Sequence, residues 1–430
     1  MGDSVGVLHY TTIGDMIKRY REREQLTITQ LANLSGVHKG VISKIELGDT
    51  KRPELRTIKP IANVLGIPFP EIVEQYIEVE RRVDVLRELL LEVIRFSNQT
   101  LISKVALKLL ESPLEDTNTA IEQLYDLADT LTDTDSKLAL FKLIVRYSRE
   151  RGIPLFIAKG LLQTYMIERL DLKRMDESYK DGEEILHYIE FLSKEQKINY
   201  YFRMALQAFA IKKYKQCIKL CESGLALETN DTELKARAYL AMINSYYFLD
   251  QFDAVEKHLD VFEKFEYDFV SDSTKINRAA TKVRKKEYDE AIPMLKTYLW
   301  ELAQENRIHM ANELLDIYLE TGNLDKITEL IKKEKDLLPR KVETPYKHLS
   351  LGIYYQRKGS YQVQTGLIPE GMESFIKSLR AYGEIHALEE IMKCINDIFS
   401  FFSKNSISID IQYVTELSNV YNSITGKIRK

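Results

Sequence analysis

Three cysteines in 430 residues, Cys217, Cys221 and Cys394, are too few and too unevenly spaced for a disulfide framework or a four-ligand zinc site. A reducing compartment fits them. The seven histidines include no His-Glu-x-x-His, and the 18 glycines form neither a Walker-type loop nor a Gly-x-Gly-x-x-Gly turn. Catalysis therefore finds no motif, and no catalytic residue, cofactor or metal is expected. No apolar run reaches about 18 residues, and the opening MGDSVGVLHYTTIGD lacks the basic and apolar segments of a signal peptide. The expectation is a cytoplasmic protein with no membrane contact. Low-complexity tracts are absent as well, and 44% hydrophobic with 29% charged residues is ordinary for a folded globular chain.

What is present is length and an uneven charge. A chain of 430 residues exceeds what one core usually serves, so two domains, or a domain plus an extended array, are expected. Residues 1–70 carry 10 Lys/Arg against 7 Asp/Glu, net +3, whereas the rest of the chain is net −7. The basic excess points to nucleic acid as a partner of the first segment only.

That segment reads as short helices. Ile13, Met16, Ile17 and Tyr20 make one apolar face, and Thr27 is an N-cap for a second helix holding Leu31, Ala32 and Leu34. Gly36 and Val37 then form a tight turn. A helix over about His38–Leu47 is predicted to bury Val41, Ile42 and Ile45 and to show His38, Lys39, Ser43 and Lys44 outward. Short helix, Gly-containing turn and helix with a polar N-terminal face is the arrangement that lays a second helix in the DNA major groove.

TQLANLSGVHKGVISKIELGD followed by LRTIKPIANVLGI resembles the repressor-type helix-turn-helix of the Cro/C1 family over roughly residues 12–67. Two positions depart from it. Ile28 stands where such domains often carry a polar DNA-contacting residue, and Pro60 interrupts the closing helix. Lys39 and Lys44 can donate to guanine acceptors or phosphates, and His38 and Ser43 to base edges. Lys51 and Arg52, with Arg56, are placed by charge for the DNA backbone.

Beyond GIPFPEIVEQY the chain is helical with few breaks. The expected organisation is a DNA-binding domain at 1–67, a linker helix at 68–96, a helical segment at 97–160 that includes degenerate repeats as one reading, a repeat domain at 161–390 and capping helices at 391–430. The repeat is visible in Tyr179, Tyr214, Phe252, Tyr288, Leu324 and Tyr361, taken as starts of second helices and separated by 35, 38, 36, 36 and 37 residues. Small or apolar residues recur three and seven positions later, as at Cys217 and Cys221, Val255 and Leu259, Ala291 and Leu295. The cysteines therefore read as packing, and so do the single Trp300 and the many tyrosines. LGIYYQRKGSY and KKEYDEAIPMLKTYL resemble tetratricopeptide repeats, with QVQTGLIPEG as an insertion lengthening the Tyr361 repeat. The fold class implied is all-α: a helix-turn-helix domain followed by a tetratricopeptide-repeat right-handed superhelix with a concave surface.

On the first helices of successive repeats stand Asn244, Asn277 and Asn312. Each offers a donor and an acceptor able to pair with the backbone of an extended peptide, and Arg203 adds a cation. A repressor-type domain followed by such repeats resembles the peptide-sensing regulators of Gram-positive bacteria, the Rap, NprR, PlcR, PrgX and Rgg group, with NprR-like members closest in layout. The resemblance implies a transcriptional regulator that binds double-stranded operator DNA, takes a short signalling oligopeptide in its groove and works as a homodimer or higher oligomer. Some relatives of that group instead bind or dephosphorylate a response regulator through the helices before the repeats. Gln99, Gln123 and Gln163 are the glutamines considered for that alternative, and none is singled out.

Overall fold

The computed structural model describes residues 12–425. The first eleven residues of the predicted DNA-binding domain and the last five of the predicted cap lie outside the described residues. Among the described residues the fold is all-α, with no strand. It consists of a helix-turn-helix followed by helical repeats, in two compact units. One unit runs to Ile167 and takes back Glu184–Leu192; the other holds Glu168–Glu183 and the chain from Ser193 on.

The first unit opens with α1 (Ile13–Arg23), α2 (Ile28–Ser35), α3 (Lys39–Glu46) and α4 (Leu55–Leu65). Local chemistry fixes their ends. Thr27 and Gln30 form a reciprocal capping box at α2, and Gly36 ends it at φ 69°, a left-handed conformation that glycine adopts without strain. Pro60 does not break α4, which runs through it. Ile28 packs against the core, a position the chain gives to burial rather than to a polar contact. A bidentate ion pair joins α1 to the end of α3: Arg21 Nε and Nη2 donate to the two Glu46 oxygens at 2.7 Å each. Both side chains are largely buried, so removing one partner costs about 3–5 kcal/mol. At the crossing of α1 and α3, a Cβ on Gly14 would lie 2.0 Å from the Ile45 carbonyl oxygen.

Residues 68–96 are not one linker helix but two, α5 (Phe69–Val79) and α6 (Val83–Arg95). Buried Glu80 stands between them and accepts from the backbone N–H groups of Arg81 and Arg82 at 2.9 Å each. Nor is there a break in packing at Pro68. A single core runs from Ile13, Met16 and Ile17 through Ile72, Val73 and Tyr76 to Leu140, Phe141 and Phe156. It is completed by α7 (Gln99–Leu110), α8 (Thr117–Thr130), α9 (Thr134–Arg151) and α10 (Pro154–Glu168).

The second unit begins with α11 (Met175–Glu183) and continues as helix pairs. These are α12 (Lys194–Ala210) with α13 (Tyr214–Leu227), α14 (Glu233–Phe248) with α15 (Phe252–Phe262), and α16 (Asp268–Arg284) with α17 (Tyr288–Glu301). Next come α18 (Gln304–Glu320) with α19 (Leu324–Ile331) and the short α20 (Glu334–Leu337), then α21 (Pro345–Gln364) with α22 (Ile368–Glu384). α23 (Leu388–Lys404) and α24 (Ile411–Thr425) follow. Tyr214, Phe252, Tyr288 and Leu324 each begin a second helix, as the spacing predicts. Tyr179 and Tyr361 do not, because each lies inside a helix, α11 and α21. The extra length near Tyr361 is spent on a 20-residue α21 rather than on a loop.

Each turn inside a pair repeats one backbone device. A residue in the left-handed region, Lys212, Asp250, Lys286, Gly322 or Gly366, is followed by an N–H that reaches back five residues, as from Lys213 to Ala208 at 2.8 Å and from Glu287 to Lys282 at 3.0 Å. Packing between the two helices of a pair uses small residues. A Cβ on Gly224 would lie 2.4 Å from the Phe202 ring and one on Gly352 2.2 Å from that of Tyr382. Cys217 and Cys221 are buried and free, and the Cys221 thiol donates to the Ala238 carbonyl at 3.1 Å. No helix among the described residues is long and apolar enough to cross a membrane.

Candidate functional site

Two surfaces qualify. The first is the exposed side of α3. Ile42 and Ile45 face the core, so the 3.6-residue period turns Lys39 and Lys44 to solvent and leaves Ser43 half-buried. The His38 ring caps α3: Nδ1 accepts from the Gly40 N–H at 3.2 Å. That bond leaves Nε2 as the nitrogen available to a ligand. Val41, predicted as core, is instead 39% exposed on the outer side. A helix of eight residues against one neighbouring layer has room for only one buried stripe, and Ile42 and Ile45 fill it. Beyond α3, Lys51 and Arg52 are exposed in the turn to α4. Lys39, Lys44, Lys51 and Arg52 form no ion pair among the described residues, whereas Arg56 is engaged by Glu54. The four unpaired cations and the outward Val41 thus make a basic face with an apolar spot, suited to phosphates and base edges.

The second surface is the inner face of the repeats. In a solenoid each repeat touches its neighbours, so a contact between distant repeats marks the concave side. The Phe209 ring on α12 lies 6.2 Å from that of Tyr346 on α21, and Lys212 Nζ reaches Glu389 at 3.0 Å and also Glu390, both at the start of α23. The first and last pairs therefore meet. Around that contact, Tyr214 and Phe248 stack at 5.0 Å, and His309 stacks on Tyr346 at 4.8 Å. Burial, reinforced by Lys347, lowers His309 to about 4. Burial and the neighbouring Asp316 raise Glu313 to about 7, against the pull of Arg357 and Arg284. Arg357 pairs with Asp316, and Arg284 Nε with Asp250 Oδ1 at 3.0 Å.

The four residues predicted to hold a peptide fall on first helices, in different settings. Asn244 is half-buried with no hydrogen-bond partner among the described residues. Asn277 and Asn312 are buried instead of lying open. The Asn277 amide donates to the Ser273 carbonyl of its own helix at 3.0 Å, and that of Asn312 to the Ser350 carbonyl on α21 at 2.9 Å, leaving the Asn312 Oδ1 without a partner. Arg203 is half-buried beside Asn199. Of the glutamines, Gln99 is exposed at the start of α7, Gln123 donates to Glu115 at 2.9 Å and Gln163 to Tyr125 at 3.0 Å. Sequence reasoning missed the aromatic and acidic groups of the inner face. Residues more than a hundred positions apart leave no periodic signal.

Comparison with known proteins bears most directly on the first surface. Residues 17–72 match the helix-turn-helix family. Three regulators of Bacillus subtilis (strain 168) are similar over the same part. The HTH-type transcriptional repressor RghR is 41% identical over 58 residues, 14% of this chain and 43% of that protein. RghRB, an uncharacterized HTH-type transcriptional regulator, is 39% identical over 59 residues, 14% and 42%. The HTH-type transcriptional regulator SlrR is 38% identical over 60 residues, 14% and 40%. The chain thus spans less than half the length of the curated relatives it matches. Among solved structures, SeMet-phAimR covers 96% of this chain and 100% of its own, at 14% identity and TM-score 0.38. Bacillus thuringiensis PlcR, in complex with the peptide PapR7 and DNA, covers 89% and 98% at 16% identity and TM-score 0.29.

Proposed function

We propose that this protein is a transcriptional regulator that binds operator DNA through α2 and α3 and is controlled by a short signalling peptide on the inner face of its repeats. The observation that carries the reading is the union, in one chain, of a helix-turn-helix with four unpaired cations and an array whose ends meet over a cluster of aromatic and charged groups. In the DNA complex, Lys39 and Lys44 read bases or phosphates, the Nε2 edge of His38 and the Ser43 hydroxyl meet base edges, and Lys51 and Arg52 hold the backbone. For the peptide, Asn244 is the free clamp, and Asn277 and Asn312 exchange their present carbonyl partners for the ligand backbone. Arg203 supplies the cation. Two half-sites give a small recognition helix adequate specificity, so the working form is a homodimer. Its contact is the terminal face, where Leu388, Met392 and Phe399 on α23 and Ile411, Val414 and Tyr421 on α24 are exposed. The end of a repeat array needs a polar face or a partner to cover it.

The test is to sequence the DNA recovered with the full chain, then to measure operator affinity with and without synthetic peptides encoded by short reading frames beside its gene. Sequence-selective recovery and a peptide-dependent change in affinity are the expected results. Recovery without sequence preference rejects the regulator. A peptide that binds yet leaves operator affinity and oligomeric state unchanged rejects the control.

A further inference from the structure

The turn from Leu47 to Glu54 carries Lys51 and Arg52 beyond the recognition helix, and little holds it. At its start Gly48 N–H donates to the Ile45 carbonyl and Thr50 N–H to the Lys44 carbonyl, each at 3.1 Å, which ties it to the end of α3. At its far end stands Pro53, which is buried. Proline has no N–H, and its carbonyl accepts the hydroxyl of Tyr76. Tyr76 is 1% exposed on α5, beyond the residues that match the helix-turn-helix family. The geometry has little slack: the ring of Pro53 locks its own φ, and the residue before a proline, here Arg52, is confined to extended conformations. Fixing the Pro53 carbonyl therefore fixes the direction in which Arg52, and Lys51 before it, leave the chain.

We propose that Tyr76 is a positioning residue for DNA binding: by holding the Pro53 carbonyl, it aims Lys51 and Arg52 at the phosphate backbone. The inference rests on the DNA-binding reading above. It ties that binding to α5, and hence to the core that α5 shares with α7, α9 and α10. A purely structural role, in which the hydroxyl only satisfies a buried carbonyl, would leave the charge interaction with DNA as it was.

The salt dependence of binding separates the two, and it needs no operator. The full chain is titrated with a short duplex of random sequence over a salt series, as wild type, Tyr76→Phe, Lys51→Ala/Arg52→Ala and the triple variant. Each phosphate contact adds about −0.9 to the slope of log K on log salt. Tyr76→Phe is expected to flatten the slope by about 0.9 to 1.8, with a several-fold loss of affinity at low salt. It should add nothing further in the variant already lacking both cations. Pro53→Ala reaches the same turn without touching Tyr76 and is expected to flatten the slope likewise, so the proposal stays falsifiable should Tyr76→Phe fail to fold. An unchanged slope in the folded variants, or an equal further loss in the background without Lys51 and Arg52, overturns the proposal. A wild type that ignores the duplex at low salt removes the DNA-binding reading and this inference with it.

Discussion

Within α3 and the turn after it, similar cations occupy different places. Lys39 leaves the first turn of α3, whereas Lys51 and Arg52 sit past its end, so the proposed DNA complex gives the first a base edge and the other two the backbone. Lys39→Ala should therefore relax base preference, read as a broader set of selected sequences. Lys51→Ala with Arg52→Ala should weaken all sequences alike, by up to about 1.8 in the salt slope. Glu313 supplies a prediction of another kind. Its folded-state value, about 7, lies above the usual carboxylate value of 4.5, so the native state binds that proton more tightly than the unfolded chain does. Its contribution to stability is fully present below the unfolded value and is lost as pH rises through about 7. Replacing Glu313 with Gln should accordingly raise Tm more at about pH 8 than at about pH 5. An equal change at both would mean that the carboxyl is ordinary.

Among the elements, the paired helices show how a regular turn tolerates irregular sequence. The left-handed position is Gly at 322 and 366 but Lys at 212 and 286 and Asp at 250. A side chain there costs roughly 1–2 kcal/mol, which the helix packing on either side sustains. Lys286 is exposed, so Lys286→Gly should stabilise the second unit by up to about 1 kcal/mol, seen as a higher denaturation midpoint. The spacing of second-helix starts was legible because each apolar seam returns at a fixed period. It failed at Tyr179 and Tyr361 because a tyrosine marks a packing position, and the inside of a helix has packing positions too.

For the whole molecule, the two ends of the repeat array are held by few groups. The carboxylate of Glu389 is held near 2, first by Lys393 and then by Lys212. Burial works against the charge of Lys212, and Glu390 and Glu389 outweigh it to raise its value. Lys212→Glu puts three carboxylates together and should open the array, read as a larger radius of gyration in solution scattering that added salt partly reverses. Unchanged scattering would assign the closure to the remaining contacts, the aromatic cluster and the Lys173–Glu384 pair among them. Trimming the chain tests the first unit. Cutting away residues 1–70 exposes Ile72, Val73 and Tyr76, all core, so the remaining helices of that unit should lose cooperative melting while the repeats keep theirs.

Patterns confined to a few turns of chain were determined by the sequence alone. The Gly36 turn, the Thr27 cap, the inward Ile42 and Ile45 and the outward Lys39 and Lys44 follow from local sterics and a 3.6-residue period, and so do most second-helix starts. Tertiary structure decided what depends on partners distant in sequence. Val41 went outward because the facing layer had room for one stripe, and Asn277 and Asn312 went into the joints between helices. The predicted linker became part of a core reaching from Ile13 to Phe156. Phe209 met Tyr346, and Lys212 met Glu389. Each small rotation between neighbouring pairs adds to the next, and only their sum brings the ends of the array together.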